Sequence, residues 1–422
     1  MSANSQNWAG NYTYRATGIH EPKTLDELQR IVCSAQSIRA LGSRHSFNSI
    51  ADCEGDLVSM GAFDRLLSID RSRMTVTVEG GITYGALSKI LHREGLALHN
   101  LASLPHISVV GACATATHGS GDANGNLATV VEAMKLVTGD GSLREVSGAS
   151  NSDELSAVAV GLGGFGIVTA VTLRVEPAFE VAQSVYERLP VAELEANFDA
   201  ITSAAYSVSL FTDWRDDTVN QVWLKHRVSP GVPPPDFPTF YGATRQSVKL
   251  HPLAGVSPEN CTEQLGVPGP WFERLPHFRM EFTPSNGDEL QSEYLVPRPY
   301  AIAAMRAVRT LADELEPHLY ISEVRTIAAD ELWLSPCYRQ ACVGIHFTWR
   351  PHVADVNRLM PKVEGLLQPF DARPHWGKLF TMAPERVRSL YPRLGEYARL
   401  RHTFDPERKF VNEFLDRYVL EG

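Results

Sequence analysis

The stretch "GLGGFG", Gly161 to Gly166, constrains this chain most. Its G-x-G-x-x-G spacing is that of a dinucleotide-binding loop, but its flanks run the wrong way. A Rossmann fingerprint follows a strand and opens a helix, which sets the pyrophosphate on the helix N-terminus. Here "SDELSAVAVG" comes first and has helical spacing, with Leu155, Val158 and Ala159 on one face. The β-branched stretch "IVTAVTLRVEP" follows and reads as a strand. Helix, glycines, strand is the reverse order, which argues against a doubly wound nucleotide-binding sheet. Two readings remain: a helix end turning tightly into a strand, or glycines that admit a nucleotide to the backbone of a different fold.

The rest of the first part alternates helices and strands. "KTLDELQRIVCSAQ" opens with Thr24 and, three residues on, Glu27, the pattern of a capping box. "SIRALGS" and "MTVTVEGG" read as strands, "TYGALSKILHREG" as a helix closed by Gly95, and "EAMKLVTGDGSLREV" as a hairpin turning near Asp140-Gly141. Near residue 178 the pattern loosens and prolines and aromatics become commoner, which predicts a boundary between residues 1–178 and 179–422. The second part reads as α+β. "SVSLFTDW", "NQVWLKHRV", "LYISEVRTI" and "CVGIHFTW" are strands, "PGVPPPDFP" is a surface loop, and "PRPYAIAAMRAVRTLADELEP" and "VADVNRLMPKVEGLLQPF" are helices. A chain of 422 residues has room for two or three domains.

Charge and cysteine usage exclude several classes. The net charge of −10, without a basic run, argues against a nucleic-acid partner. No apolar run is long enough to span a bilayer, and the N-terminal "MSANSQNWAGNYTYR" lacks the pattern of a signal peptide. No helical face is apolar enough to demand a partner. A cytoplasmic monomer is expected. Six scattered cysteines read as reduced, and no Cys/His cluster has zinc spacing, so no metal is expected.

Two stretches carry the chemistry. In "RALGSRHSFN" a strand ends in Gly42 and Ser43, which can offer successive backbone N–H groups to a phosphate, and His45 sits at the edge of that loop. In "NLASLPHISVVGACATATHGSG" small residues dominate. They bury little area each, but suit a backbone lying flat against a large planar ligand, with hydroxyls and N–H groups as donors.

Together "GSRHS", "GACATATHGSG" and "GFGIVTAVTL" resemble the flavin domain of the vanillyl-alcohol oxidase (PCMH) type, in order and spacing across roughly the first 178 residues. "LYISEVRTI", "IHFTW", "RPHWGKLF" and "FDPERKFVNEF" resemble the C-terminal domain of the sugar-acid lactone oxidases. "NWAGN", "ASLPHISV", "AAYSVSLFTDWR", "NCTEQ", "GVPGPW" and "RLPHFR" look like the alditol (xylitol or sorbitol) oxidases within that group. The resemblance implies an α+β fold: a two-subdomain FAD-binding domain plus an α+β substrate (cap) domain, with the C-terminal end packing back on the FAD domain. It implies FAD bound covalently through its 8α-methyl carbon to His45.

Carried over by position, the resemblance sets Ala40, Leu41, Gly42, Ser43, Arg44, His45 and Ser46 along the FAD pyrophosphate. It sets Ser108, Gly111, Thr115, Thr117, His118 and Gly119 against flavin and phosphates, with Ser103 nearby. Ile167 or Val168 meets the adenine end, and His375 lies by the isoalloxazine. Ser103, Glu323, Arg325, His346, Thr348 and Lys378 form the polyol pocket.

That pocket also makes chemical sense by itself. Glu323 and Arg325 alternate on a strand, as do His346 and Thr348, so each pair faces one way. A polyol both donates and accepts, and this mixture of groups can match it. Glu323 and Arg325 could equally be an ion pair on a sheet surface. The expected reaction is oxidation of a terminal C1 hydroxyl to the aldose, with O₂ reduced to H₂O₂. Arg325 and Lys378 would steady the alkoxide, His346 would relay the proton, and Glu323 would help hold the substrate. An aldonolactone oxidase or dehydrogenase on the same fold is the alternative, and a flavin-free sugar-binding scaffold a third reading.

Overall fold

The computed structural model describes residues 5–229, 231–280 and 289–420. The first four residues of the N-terminal stretch, and Pro230 at the head of the proline loop, lie outside the described residues.

Each sheet draws its strands wholly from before or wholly from after residue 178. A small parallel sheet has the order 18–20, 56–59, 38–41, and a five-stranded antiparallel sheet the order 66–70, 75–79, 167–174, 131–137, 143–147. The later residues build one ten-stranded antiparallel sheet, and an isolated bridge between Gly121 and Ile327 ties the halves.

Local chemistry explains the elements near the cavity. Thr24 caps Leu25–Ser34, its hydroxyl accepting from the Glu27 N–H at 3.2 Å. Glu27 reaches back to the Lys23 N–H, one residue before the cap. Asn151 caps Ser152–Val158 in the same way. That helix runs into the glycine loop, where Leu162 (φ 50°), Gly163 (φ 71°) and Gly166 (φ 146°) turn the chain into the Ile167–Arg174 strand. The buried Arg39 guanidinium fastens this loop, donating to the carbonyls of Leu162 (2.7 Å), Gly163 (3.2 Å), Ile50 (2.5 Å) and Phe410 (2.7 Å). Helix Leu394–Phe404 adds a bond from the Tyr397 hydroxyl to the Gly161 carbonyl (2.7 Å), so the C-terminal segment lies against the first part.

In the large sheet the period of two separates two environments. Leu210, Val324, Ile345 and Tyr294 form one cross-strand row, buried and apolar. The Tyr294 hydroxyl reaches Glu364 on the covering helix Val353–Leu367. One residue along, Phe211, Glu323, His346 and Glu293 form the next row, on the opposite face.

One expected helix is divided. Residues 298–316 form Ala301–Arg309 and Ala312–Leu315, because the Thr310 hydroxyl takes the Ala307 carbonyl (2.6 Å) and the backbone tightens to i→i+3 bonds. The six cysteines are unpaired, and no helix among the described residues is long and apolar enough to cross a membrane.

Candidate active site

A single cavity of about 790 Å³ runs from the glycine loop, past His45, to the polar row of the large sheet. Its first wall is interrupted by glycines where backbone comes close. A Cβ on Gly42 or Gly111 would stand 2.7 or 2.6 Å from the Ser108 hydroxyl, and one on Gly81 would stand 1.8 Å from the Met60 carbonyl. The Thr115 and Thr117 hydroxyls, 3.1 Å apart, and Ser43, which accepts from the Ser108 N–H, supply polar atoms along it. His45 packs under the Trp8 ring, with centroids 4.4 Å apart, and its Nδ1 lies 3.3 Å from Nε2 of His106. Burial, reinforced by His106 and Lys378, holds the His45 pKa down at about 3. Its imidazole is therefore neutral, with a nitrogen lone pair to offer.

The second wall is a network of charges. Glu293, 1% exposed on Leu290–Pro297, is its centre. Its carboxylate accepts from Arg325 at 2.8 Å and Lys378 at 2.6 Å, with His118 Nε2 at 3.3 Å and His346 Nδ1 at 3.6 Å. Burial opposes ionisation, but Lys378, Arg325 and His118 outweigh it and hold the Glu293 carboxyl well below the usual range. Gly344 makes room for this convergence, since a Cβ there would meet Glu293 at 3.0 Å and His118 at 3.4 Å. Lys378 also bonds His346 Nδ1 at 2.7 Å, and His346 Nε2 meets the Thr348 hydroxyl at 3.1 Å. Burial lowers Lys378, and burial together with Lys378 lowers His346 to about 4.

The structure brings nearly all the expected residues to this cavity: Ala40 to Ser46, Ser103, Ser108, Gly111, Thr115, Thr117, His118, Val168, Glu323, Arg325, His346, Thr348, His375 and Lys378. Two stand off its wall. Gly119 is packed against Asn100 and the Leu101 carbonyl, and Ile167 is buried beside Val137 in the core under Leu25–Ser34. The possibility of a sheet-surface ion pair fails, since Glu323 is 5% and Arg325 6% exposed. Trp376 packs on Tyr391 and Phe414, while Lys378 is enclosed by Glu293 and His346.

Sequence reasoning missed Glu293, His277, His106 and Trp8. The signal for Glu293 was available: the one charged residue in the strand "LQSEYLVP", on the same strand face as Gln291.

The first wall fits FAD. It is long, edged by hydroxyls, interrupted by glycines where backbone comes close, and faced by the neutral His45. Comparison with known proteins agrees. Residues 16–147 match the FAD binding domain family, and residues 286–418 the D-arabinono-1,4-lactone oxidase family. Alditol oxidase of a Streptomyces species is 48% identical across 100% of both chains. The chain belongs to the alditol oxidase family. It is thus an FAD-dependent oxidoreductase. More distant relatives of the family include mouse L-gulonolactone oxidase, 26% identical over 98% of this chain and 97% of that one. L-gulono-1,4-lactone dehydrogenase of Mycobacterium tuberculosis is 27% identical over 99% and 100%. Among solved structures, cholesterol oxidase of B. sterolicum superposes with a TM-score of 0.77 at 14% identity, covering 98% of this chain and 96% of that one. A solvent-stable cholesterol oxidase gives 0.76 at 17%, covering 98% and 97%. This likeness fixes the fold: α+β, with the FAD-binding architecture expected from the flavin-domain motifs.

Proposed function

We propose that this protein oxidises the terminal C1 hydroxyl of alditols such as xylitol or sorbitol to the aldose, with O₂ as electron acceptor and H₂O₂ as product. The observation that carries the reading is the polar row of the large sheet, which faces the same cavity as the flavin-sized first wall. On this reading residues 1–178 hold the cofactor and residues 179–422 supply the substrate wall.

Bound FAD supplies the electron acceptor of the oxidation. Ala40 to Ser46, Ser108, Gly111, Thr115, Thr117, His118, Val168 and His375, which line the cavity, would hold it. His45, neutral and lining the same wall, would be the residue that carries the covalent tether. Alcohols ionise with difficulty, so the alkoxide that develops at C1 needs fixed positive charge in a dry site. Arg325 and Lys378 supply it, both held in place by Glu293. His346, neutral above about pH 4, relays the hydroxyl proton through its bond to Lys378. Glu323, Thr348 and Ser103 take the remaining hydroxyls and hold C1 in register.

The lactone alternative draws on the match of residues 286–418 to D-arabinono-1,4-lactone oxidase. Oxygen uptake with xylitol, sorbitol and L-gulono-1,4-lactone separates the two. Uptake with the polyols is expected, and uptake with the lactone alone overturns the reading. Acid precipitation tests the tether, since a yellow pellet that turns colourless in His45→Ala is the expected result.

A further inference from the structure

Lys225 is a buried cation that the reaction above does not use. It stands on Thr218–Val228 with 1% of its surface exposed. Its Nζ meets the Leu275 carbonyl at 2.5 Å, the Pro276 carbonyl at 3.1 Å and Nδ1 of His277 at 3.3 Å. An ammonium has three protons, and these three acceptors take all of them. The far side of the same imidazole, Nε2, lies 2.7 Å from Oε1 of Glu323. A carboxylate only accepts, so Nε2 carries the ring proton and Nδ1 offers the lone pair that Lys225 fills. Both ends of the ring therefore specify one tautomer. Phe211 and Trp223, with centroids 5.5 and 5.3 Å away, hold the ring edge-on. With Oε1 engaged, the other oxygen of Glu323, 3.6 Å from Arg325 Nε, is the one left to accept from a ligand in the cavity.

We propose that Lys225 and His277 are positioning residues for the oxidation: a histidine in the cavity wall, backed by a lysine behind it, that aims Glu323 and keeps it an ionised acceptor for a polyol hydroxyl. The inference rests on the reading of Glu323 as a substrate contact. It also assigns the pair one shared positive charge. Burial brings Lys225 down to about 7 against the pull of Glu323 and Cys261, with Arg325 adding to the fall. Burial lowers His277 as well, with Glu323 opposing and Lys225 and Arg325 assisting, while His346 stands beyond Glu323 on the next strand. Once the ammonium loses its proton, two N–H donors face three acceptors, and the grip on His277 Nδ1 loosens. Polyol binding therefore weakens as pH rises through this titration.

Lys225→Met, His277→Leu and His277→Gln test the pair in flavin-loaded protein, with flavin content and melting temperature as the check on folding. Lys225→Met and His277→Leu are expected to raise the xylitol KM about tenfold or more with little change in kcat, the mark of a lost binding contact. The rise of wild-type KM above neutral pH disappears in Lys225→Met. In His277→Gln the new side-chain amide can donate to Glu323 while its carbonyl accepts from Lys225, so this variant recovers most of the loss seen in His277→Leu. Wild-type KM and pH profile in Lys225→Met, or equal damage from the two substitutions of His277, overturns the proposal. If the wild-type protein oxidises no alditol, the functional reading has failed, and the pair is read without substrate. Nitrogen NMR of the wild-type His277 ring then shows Nδ1 unprotonated, and an Nδ1-protonated ring sinks the proposal even if no variant folds.

Discussion

At the scale of single residues, the candidate site depends on one carboxylate among several basic groups. Glu293 binds Lys378 and Arg325 directly, so the two cations meant to steady an alkoxide are held before substrate arrives. Lys378→Ala is expected to slow flavin reduction in rapid-mixing experiments by about 10²–10³-fold, the size seen when a charge-stabilising donor is lost. Flavin content should be unchanged. Equal reduction rates would remove Lys378 from the mechanism. Glu293→Gln leaves two buried cations without their shared anion and should lower unfolding stability by about 3–5 kcal/mol in denaturant titrations. The sequence revealed Glu323 and Arg325 through the resemblance to the sugar-acid lactone oxidases, and alternation places both on one strand face. It did not reveal that this face lies inside the molecule. Glu293 draws partners from four separate segments, around residues 118, 325, 346 and 378, and no local spacing can announce such a meeting.

At the scale of elements, the glycine loop was legible in its order but not in its support. Helix, glycines and strand stand as the sequence predicts, yet Arg39, more than a hundred residues away, is what holds the loop. Arg39→Leu leaves three carbonyls, those of Leu162, Gly163 and Phe410, without a donor, while Ile50 keeps its bond from Asn412. At about 1–3 kcal/mol for each unsatisfied buried group, the fold should lose at least about 3 kcal/mol, and retained flavin should fall with it. Gly166→Ala tests the turn itself. Its φ of 146° is closed to L side chains, and a Cβ would stand 2.4 Å from the Val137 carbonyl. A loss of about 1–3 kcal/mol is expected. A melting temperature equal to wild type would mean that the turn relaxes freely. The helix expected at 298–316 shows the converse limit: propensity ran through Thr310, and one hydroxyl bonding back to Ala307 ended the helix.

At the scale of the whole molecule, burial of neutral imidazoles couples stability to pH. His99 and His346 are both held at about 4, against about 6.5 in an open chain. Their folded values lie below the unfolded one, so between pH 6.5 and 4 the unfolded chain binds more protons and stability falls as pH falls. Scanning calorimetry should show the melting temperature dropping by several degrees across that window. His99→Gln should flatten the slope, and an unchanged slope would reject this origin.

The Arg39 clasp reaches further. One of its four bonds ends on the Phe410 carbonyl, near the end of the chain, while its other partners were laid down hundreds of residues earlier. During synthesis on the ribosome, three of the four bonds can therefore form before residue 410 is added, and the fourth only afterwards. A nascent polypeptide halted near position 400 would carry Ile50, Leu162 and Gly163 but lack the Phe410 anchor, and its glycine loop is expected to be held less firmly.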